Sequence, residues 1–163
     1  MAYPTRGQAE TAAMPEYQVK AMYLFNFAQF VTWPSQESSR APLVIGILGD
    51  DPFGSYLDET VRGQKVINRP LTIQRFRRST ELRNCNILFI SQSERYRAAE
   101  IVSSLKGRSI LTVSDIDGFA DSGGMIQFFT EQNKIRVRIN LNAVKAANMK
   151  VSSKLLSVAE VAH

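Results

Sequence analysis

The sequence LVIGILG at residues 43–49, followed at once by Asp50, Asp51 and Pro52, is the clearest indication of the fold class. The run is continuously apolar and has the length of a strand. Such a run is typical of a strand buried on both faces, as in a parallel sheet. The residues after it predict the start of a helix, with Asp51 as N-cap and Pro52 in the first turn. We expect Gly63 to end this helix.

The same pattern recurs downstream. Residues 71–76 (LTIQRF), 86–90 (NILFI) and 109–115 (SILTVSD) predict three more strands, separated by helical or short crossover segments. Ser91 and Glu94 have the spacing of a capping box, which predicts a helix directly after the third strand. Strands that alternate with helices in this way are typical of an α/β domain with a largely parallel sheet and right-handed crossovers.

The C-terminal part of the chain has a different pattern. Residues 118–124 are rich in glycine, and two predicted strands follow, at 125–130 and 134–141, with only a short turn between them. Two strands this close must pair antiparallel. Short helices are expected at 142–147 and at about 152–161. The predicted fold class is α/β: a single domain with a largely parallel central sheet flanked by helices, and a C-terminal antiparallel hairpin.

Upstream of the first strand, residues 16–34 (EYQVKAMYLFNFAQFVTWP) predict a helix of about five turns. This helix is apolar on nearly all sides, and a helix of that kind is either buried or meets a partner. Two alternatives stay open: burial in the core alone, or burial shared between the core and a second protein. The candidate partner or dimer interface consists of Leu24, Phe25, Ala28 and Trp33.

Length and composition indicate one folded domain. The chain has 163 residues, of which 44% are hydrophobic, an ordinary share for a globular protein. We expect a flexible N-terminal segment at 1–14 and the folded domain at 15–163. No apolar run reaches the roughly 18 residues of a membrane span, so we expect a chain that does not span a membrane. The polar start has no signal-peptide core, which leaves open a cytosolic protein or one whose signal was removed.

The residues that carry most enzyme chemistry are scarce. Cys85 is the single cysteine and His163 the single histidine, so an internal disulfide is impossible and a typical zinc site cannot be built. The sequence has neither a nucleophile-elbow motif nor a phosphate-binding glycine loop. We therefore expect no catalytic residues, no metal and no cofactor, and a protein that acts by binding or regulation.

The chain is basic, with a formal net charge of +5. An acidic partner and a solvated basic face are both compatible with this charge. We favour the solvated face and expect no nucleic-acid binding, because no nucleic-acid motif accompanies the basic residues. The basic residues are concentrated at Arg62, Lys65, Arg69, Arg75, Arg77, Arg78 and Arg83.

Polar residues follow several of the predicted strands. The carboxyl ends of the strands in an open α/β sheet form the usual ligand crevice, so a small molecule could bind there. The alternative is that these side chains cap helices and loop amides. The candidate crevice residues are Asp50, Phe53, Ser114, Asp115 and Phe119.

Six segments together resemble the YfiR family of bacterial periplasmic regulators, the YfiR/HmsC-like group. They occur in the family's order and cover about residues 17–161. The segments are YLFNFAQFVTWP (23–34), ILGDDPFG (47–54), NILFISQSE (86–94), LTVSDIDGFADSGGMIQF (111–128), IRVRINL (135–141) and VSSKLLSVA (151–159).

The resemblance implies an exported periplasmic protein with a compact α/β domain that can form a homodimer. It implies a non-enzymatic regulator that binds the periplasmic sensory domain of a membrane-bound diguanylate cyclase and represses it. Release would then raise cyclic di-GMP and promote biofilm formation. It also favours the shared burial of the opening helix, and a signal removed before residues 1–14. The alternative function is a periplasmic small-molecule sensor. Redox control by paired cysteines, as in some relatives, is unavailable to a chain with Cys85 alone.

Overall fold

The computed structural model describes residues 14–34 and 40–162. Helix α1 (Glu16–Phe30) begins directly after Pro15, and its end leads into the short strand β1 (Val31–Thr32). The predicted flexible segment lies, apart from Met14, outside the described residues. The other helices are α2 (Tyr56–Val61), α3 (Ala98–Ser104), α4 (Leu141–Ala146) and α5 (Ser153–Leu156).

The described strands form one large sheet and one small one. In the small sheet, β1 pairs antiparallel with β9 (Lys150–Val151). The large sheet has the spatial order β10-β8-β7-β6-β5-β2-β4-β3. Its strands are β2 (Leu43–Leu48), β3 (Lys65–Val66), β4 (Arg69–Phe76), β5 (Ile87–Ile90), β6 (Leu111–Ser114), β7 (Ile126–Glu131), β8 (Lys134–Asn140) and β10 (Glu160–Ala162).

The pairing confirms the predicted fold class. Strands β4, β2, β5, β6 and β7 are parallel neighbours in that order, and β7 and β8 form the predicted antiparallel hairpin. Counted along the chain, the five parallel strands have the order 2-1-3-4-5 of a doubly wound sheet. The order reverses between β2 and β5, so the switch point lies at the carboxyl ends of these two strands.

Helices cover both faces of the sheet, which explains the continuous apolar strands. Ile87 and Phe89 of β5 belong to the core beneath α1 and α2. Leu88 and Ile90 of the same strand belong to the core beneath α3. Side chains of a strand alternate between the two faces of a sheet, so β5 must be apolar at every position.

Helix α2 begins later than the sequence predicts. The carboxylate of Asp51 accepts the backbone N–H of Phe53 at 2.8 Å, which forms a tight turn in place of the expected N-cap. The turn places the ring of Phe53 in the core, and the helix starts only at Tyr56. Gly63 follows the C-cap of the helix and has a φ of +72°. This left-handed conformation is the one that glycine commonly adopts just after a helix.

The predicted capping box after β5 does not form. Ser91 accepts the N–H of Ser93 and starts a single 3-10 turn, Gln92–Glu94. The carboxylate of Glu94 forms an ion pair with Arg97 instead of turning back to the Ser91 N–H. Because of this extra turn, α3 begins at Ala98.

Two further predicted helix boundaries are wrong. The opening helix ends at Phe30, because the Phe30 carbonyl accepts the Ser152 N–H at 2.8 Å and Val31 joins the small sheet opposite Val151. The last helix, expected at 152–161, is only Ser153–Leu156, and the chain then forms β10 parallel to β8. Among the helices in the described ranges, none combines the length and hydropathy that crossing a bilayer would require.

Candidate functional site

Two polar clusters lie at the carboxyl ends of the parallel strands. We call the first the buried cluster; it consists of Glu16, Tyr17, Lys20, Gln92 and Asp115. We call the second the arginine pocket; it is a cavity of about 540 Å³. The pocket is lined by Gly49, Asp50, Arg77, Arg78, Ser79, Thr80, Ser93, Glu94 and Arg97.

The buried cluster is centred on the carboxylate of Asp115, the residue directly after β6. The Nζ atom of Lys20 lies 2.8 Å from Asp115 Oδ2, and the two side chains are only 5% and 7% exposed. The Tyr17 hydroxyl donates to the same oxygen at 2.6 Å. The side-chain amide of Gln92 donates to Oδ1 at 3.0 Å. Lys20 also pairs with the half-exposed carboxylate of Glu16.

Helix α1 supplies three members of this cluster because of its period. Residues three and four apart share one face of a helix. Lys20 lies four residues after Glu16 and three after Tyr17, so its side chain can contact both. The ammonium of Lys20 also lies 4.5 Å from the centre of the Tyr17 ring, a favourable cation–π distance. A buried lysine is stable only when its charge is compensated, and Asp115 and Glu16 supply that compensation.

Tyr17 is a fixed hydrogen-bond donor. Burial raises the pKa of its hydroxyl far above the usual range, and the hydrogen bond to the carboxylate of Asp115 raises it further. The phenol therefore stays protonated at physiological pH. Each carboxylate oxygen of Asp115 is engaged by Tyr17, Lys20 or Gln92, so the cluster is organised to hold α1 on the sheet.

The arginine pocket differs because one of its ion pairs is fully at the surface; a smaller cavity, of about 340 Å³, borders the buried cluster. Arg77 and Asp50 pair at 3.1 Å, with side chains 74% and 75% exposed. Arg97 pairs with the buried carboxylate of Glu94 at 2.6 Å. The Ser93 hydroxyl accepts the Asp50 N–H at 2.9 Å and so joins the ends of β2 and β5.

Gly49 shapes the floor of this pocket. Its φ of +95° is one that residues with a Cβ rarely adopt. A Cβ built there would lie 2.4 Å from the Ser93 hydroxyl oxygen and 2.9 Å from Glu94 Cγ. Only a glycine lets the end of β2 pass this close to the turn after β5.

The structure does not bring the five predicted crevice residues into one cavity. Asp50 lines the arginine pocket, and Asp115 lies in the buried cluster. Phe53 is buried beneath α1, with its ring 5.5 Å from that of Tyr17 and 4.9 Å from that of Phe89. It therefore stands next to the buried cluster and supports Tyr17.

The other two crevice residues also have structural contacts. The buried Ser114 hydroxyl donates to the Ile90 carbonyl at 2.6 Å and accepts the Ile116 N–H at 3.1 Å. Phe119 is buried in the core beneath α3, on the opposite face of the sheet from Phe53. Its ring occupies the space where a Cβ of Gly124 would lie, 2.2 Å away. A ligand-binding role for these residues stays a prediction.

Three of the four candidate interface residues are buried within the chain. Leu24 and Ala28 have no exposed surface, so a partner that leaves the fold intact cannot contact them. Trp33 is 4% exposed and donates from its indole nitrogen to the Asn86 carbonyl at 3.1 Å. Phe25 alone of the four is partly exposed, and its role in an interface stays a prediction.

The sequence reasoning missed Tyr17, Lys20 and the arginines of the open pocket as site residues. A signal for Lys20 was present, since a lysine inside an apolar helix needs a compensating charge. The identity of that charge, Asp115, depends on tertiary structure. Among the described residues, no group of acidic, histidine or cysteine side chains is arranged to hold a metal ion.

Cys85 is buried. Burial raises the pKa of its thiol to about 11, although the nearby charge of Arg108 opposes that shift. The thiol is the dominant form at neutral pH, and thiols react far more slowly than thiolates. Cys85 in this fold is therefore a packing residue.

Comparison with known proteins identifies the family. The profile described as YfiR/HmsC-like matches residues 17–160, which is nearly the whole described fold. The chain belongs to the YfiR/HmsC-like family. Proteins of this family are in general periplasmic regulators of a diguanylate cyclase. The family is regulatory and non-catalytic. The comparison with curated proteins gives no match.

Proposed function

We propose that this YfiR/HmsC-like protein is a non-enzymatic periplasmic regulator that binds the periplasmic sensory domain of a membrane diguanylate cyclase. Binding represses the cyclase, which lowers cyclic di-GMP and biofilm formation. The family match over residues 17–160 carries this proposal. The structure supports the non-enzymatic part of the proposal. The charged side chains of the buried cluster are engaged with one another in ion pairs and hydrogen bonds that hold the fold.

The exposed stripe of α1 is the surface that we propose for the partner. Gln18, Met22, Phe25 and Gln29 follow one another at spacings of four, three and four residues, which aligns them along one side of the helix. Met22 is 45% exposed, and Phe25 is partly exposed while its ring packs on the core. Methionine and phenylalanine are enriched in the centres of protein interfaces.

The test is a binding titration against the periplasmic domain of a membrane diguanylate cyclase encoded beside this protein. We expect saturable binding to the folded protein at tens of micromolar or below. Phe25→Asp should weaken it by about tenfold or more, because a desolvated carboxylate would enter an apolar contact. Calorimetry measures the affinity, and circular dichroism confirms that the variant is folded.

Two variants serve as controls. Tyr96→Asp introduces the same charge at a side chain that is 88% exposed, far along the chain from α1, and should bind normally. Phe27→Asp places a carboxylate at a fully buried position and should not fold. If Phe25→Asp is as insoluble as Phe27→Asp, the stripe is part of the core. Absence of binding by the folded wild-type protein would contradict the proposed function.

The proposed homodimer can use the same stripe. Sedimentation velocity distinguishes the two uses of it. If Phe25→Asp converts a dimer to a monomer but keeps the cyclase affinity, the stripe is the dimer contact and the cyclase binds elsewhere.

The second candidate function is a periplasmic small-molecule sensor. The arginine pocket favours it, because this cavity is open, polar and located at the switch point of a doubly wound sheet. A ligand that binds the folded protein must raise its stability, so a thermal-shift screen tests this function separately from cyclase binding.

A further inference from the structure

We propose that the arginine pocket binds a phosphate dianion, either inorganic phosphate or the phosphate group of a small phosphomonoester, with Arg78 as its principal contact. The proposal goes beyond cyclase binding and does not depend on it. It joins three independent observations: the position of the pocket in the sheet, the balance of charge around it and the space within it.

The first observation is position. In a doubly wound sheet, the strand order reverses at one point, and the loops on either side diverge there to leave a crevice. In this protein the reversal lies between β2 and β5. Asp50 follows β2, and Ser93 and Glu94 follow β5, and all three line the arginine pocket. The cavity therefore lies where this topology leaves room for a ligand.

The second observation is charge. The pocket has three guanidinium groups and only two carboxylates, and the Glu94 carboxylate is held by Arg97. Glu81, just outside the lining, accepts the backbone N–H groups of Arg77 and Arg78. Within the described residues, the guanidinium of Arg78 forms no ion pair. Arg78 is thus an exposed cation at the mouth of a cavity.

Arg77 can supply a second guanidinium. Its present partner is Asp50, and both side chains are about three-quarters exposed. An exposed pair of this kind contributes little free energy, so a phosphate dianion can displace Asp50 from Arg77. Arginine binds phosphate through two parallel N–H···O bonds, and two such side chains match the charge of a dianion.

The third observation is space and polarity. A volume of about 540 Å³ accommodates a phosphate group together with a small organic part. Hydroxyls of Ser79 and Thr80 line the same cavity as Arg78 and can donate to phosphate oxygens. The glycine at position 49 keeps the floor free of a side chain, as its close approach to Ser93 requires. The lining therefore offers several donors around one open volume.

The experiment is a titration followed by two-dimensional ¹H–¹⁵N spectra of the full chain. The probes are inorganic phosphate, glycerol 3-phosphate and uncharged glycerol. We expect saturable shifts of the Gly49, Ser79 and Ser93 amides with at least one phosphate probe and none with glycerol. Tighter binding of glycerol 3-phosphate identifies a phosphomonoester as the ligand, and equal or tighter binding of inorganic phosphate identifies the free ion.

Arg78→Ala is the decisive variant, and Arg83→Ala is its matched control. Both arginines are exposed, and both substitutions remove one positive charge, but Arg83 does not line the pocket. We expect Arg78→Ala to weaken phosphate binding by about tenfold or more and Arg83→Ala to leave it nearly unchanged. Absence of saturable shifts, shifts at other residues, or equal losses in the two variants would overturn the proposal.

Discussion

The buried cluster and the arginine pocket arise from the same sequence pattern and have opposite properties. In each, an aspartate follows the carboxyl end of a parallel strand: Asp115 comes directly after β6, and Asp50 comes after β2 and Gly49. Helix α1 covers the end of β6, so Asp115 is 7% exposed and bound to Lys20. The ends of β2 and β4 meet in an open cavity, so Asp50 is 75% exposed and its partner Arg77 is almost equally so. The helix above the strand end, and not the aspartate itself, decides which carboxylate is buried in ion pairs and which is exposed to solvent.

The largest effect expected from this difference is on stability. Asp115→Asn removes the main compensating charge from a buried ammonium, so we expect it to lower the free energy of unfolding by about 3 kcal/mol. Urea unfolding followed by circular dichroism measures the loss. The matched variant Asp50→Asn should change the same quantity by less than about 0.5 kcal/mol. Equal losses in the two variants would mean that the clusters do not differ as described.

A smaller effect tests the hydrogen bond between Tyr17 and Asp115. Tyr17→Phe should lower the free energy of unfolding by about 1 kcal/mol at pH 8. Because the pKa of Tyr17 is raised in the folded protein, its contribution is complete below the unfolded pKa of about 10 and is lost as the pH rises toward the folded value.

The difference between the wild-type protein and Tyr17→Phe should therefore shrink above about pH 10. Urea unfolding at several pH values, from 8 to above about 10, measures this difference in the free energy of unfolding. Tyr96→Phe, at an exposed tyrosine, is the control and should show no such difference. A difference that stays constant with pH would contradict the buried environment of Tyr17.

The smallest expected effect is on the phosphate affinity of the arginine pocket. Asp50→Asn removes the carboxylate that competes for Arg77, so phosphate affinity of the arginine pocket should rise by roughly two- to fivefold, as expected for a weak exposed pair. The same spectral titration measures it. A loss of affinity would show that Asp50 helps to bind the ligand and is not a competitor.

The layers of the fold were predictable because apolar runs have few alternatives. The runs that became β2 and β5 have no polar face, so each had to be buried on both sides of a sheet. The hairpin of β7 and β8 was predictable because a short turn allows only antiparallel pairing. These predictions depend on local sequence, and the structure confirms them.

Other features depend on contacts that local sequence does not contain. The helix at 16–34 ends at Phe30 because β9, more than a hundred residues later, pairs with Val31. The segment 152–161 has an apolar stripe that suits a helix, but its end pairs with the edge of β8. In each case a tertiary hydrogen bond overrides a local preference.

The position of the candidate residues at the strand ends was predictable, but their contact partners were not. The rule that ligands bind at the carboxyl ends of parallel strands located Asp50 and Asp115 correctly at that edge. It could not separate them, because Asp115 and Lys20 are 95 residues apart in sequence and nothing local shows that they meet. Leu24 and Ala28 belong to a helix that is apolar on nearly all sides, and such a pattern does not distinguish a core contact from a partner contact.

The concentration of cyclic di-GMP in cells reports directly on the proposed repression of a diguanylate cyclase. The measurement compares cells that express the neighbouring membrane cyclase alone, with this protein exported to the periplasm, or with its Phe25→Asp variant. We expect the wild-type protein to lower cyclic di-GMP and the Phe25→Asp variant, exported at an equal level, to lower it less. If the folded, exported wild-type protein leaves cyclic di-GMP unchanged, it does not repress this cyclase, and the proposed function is wrong.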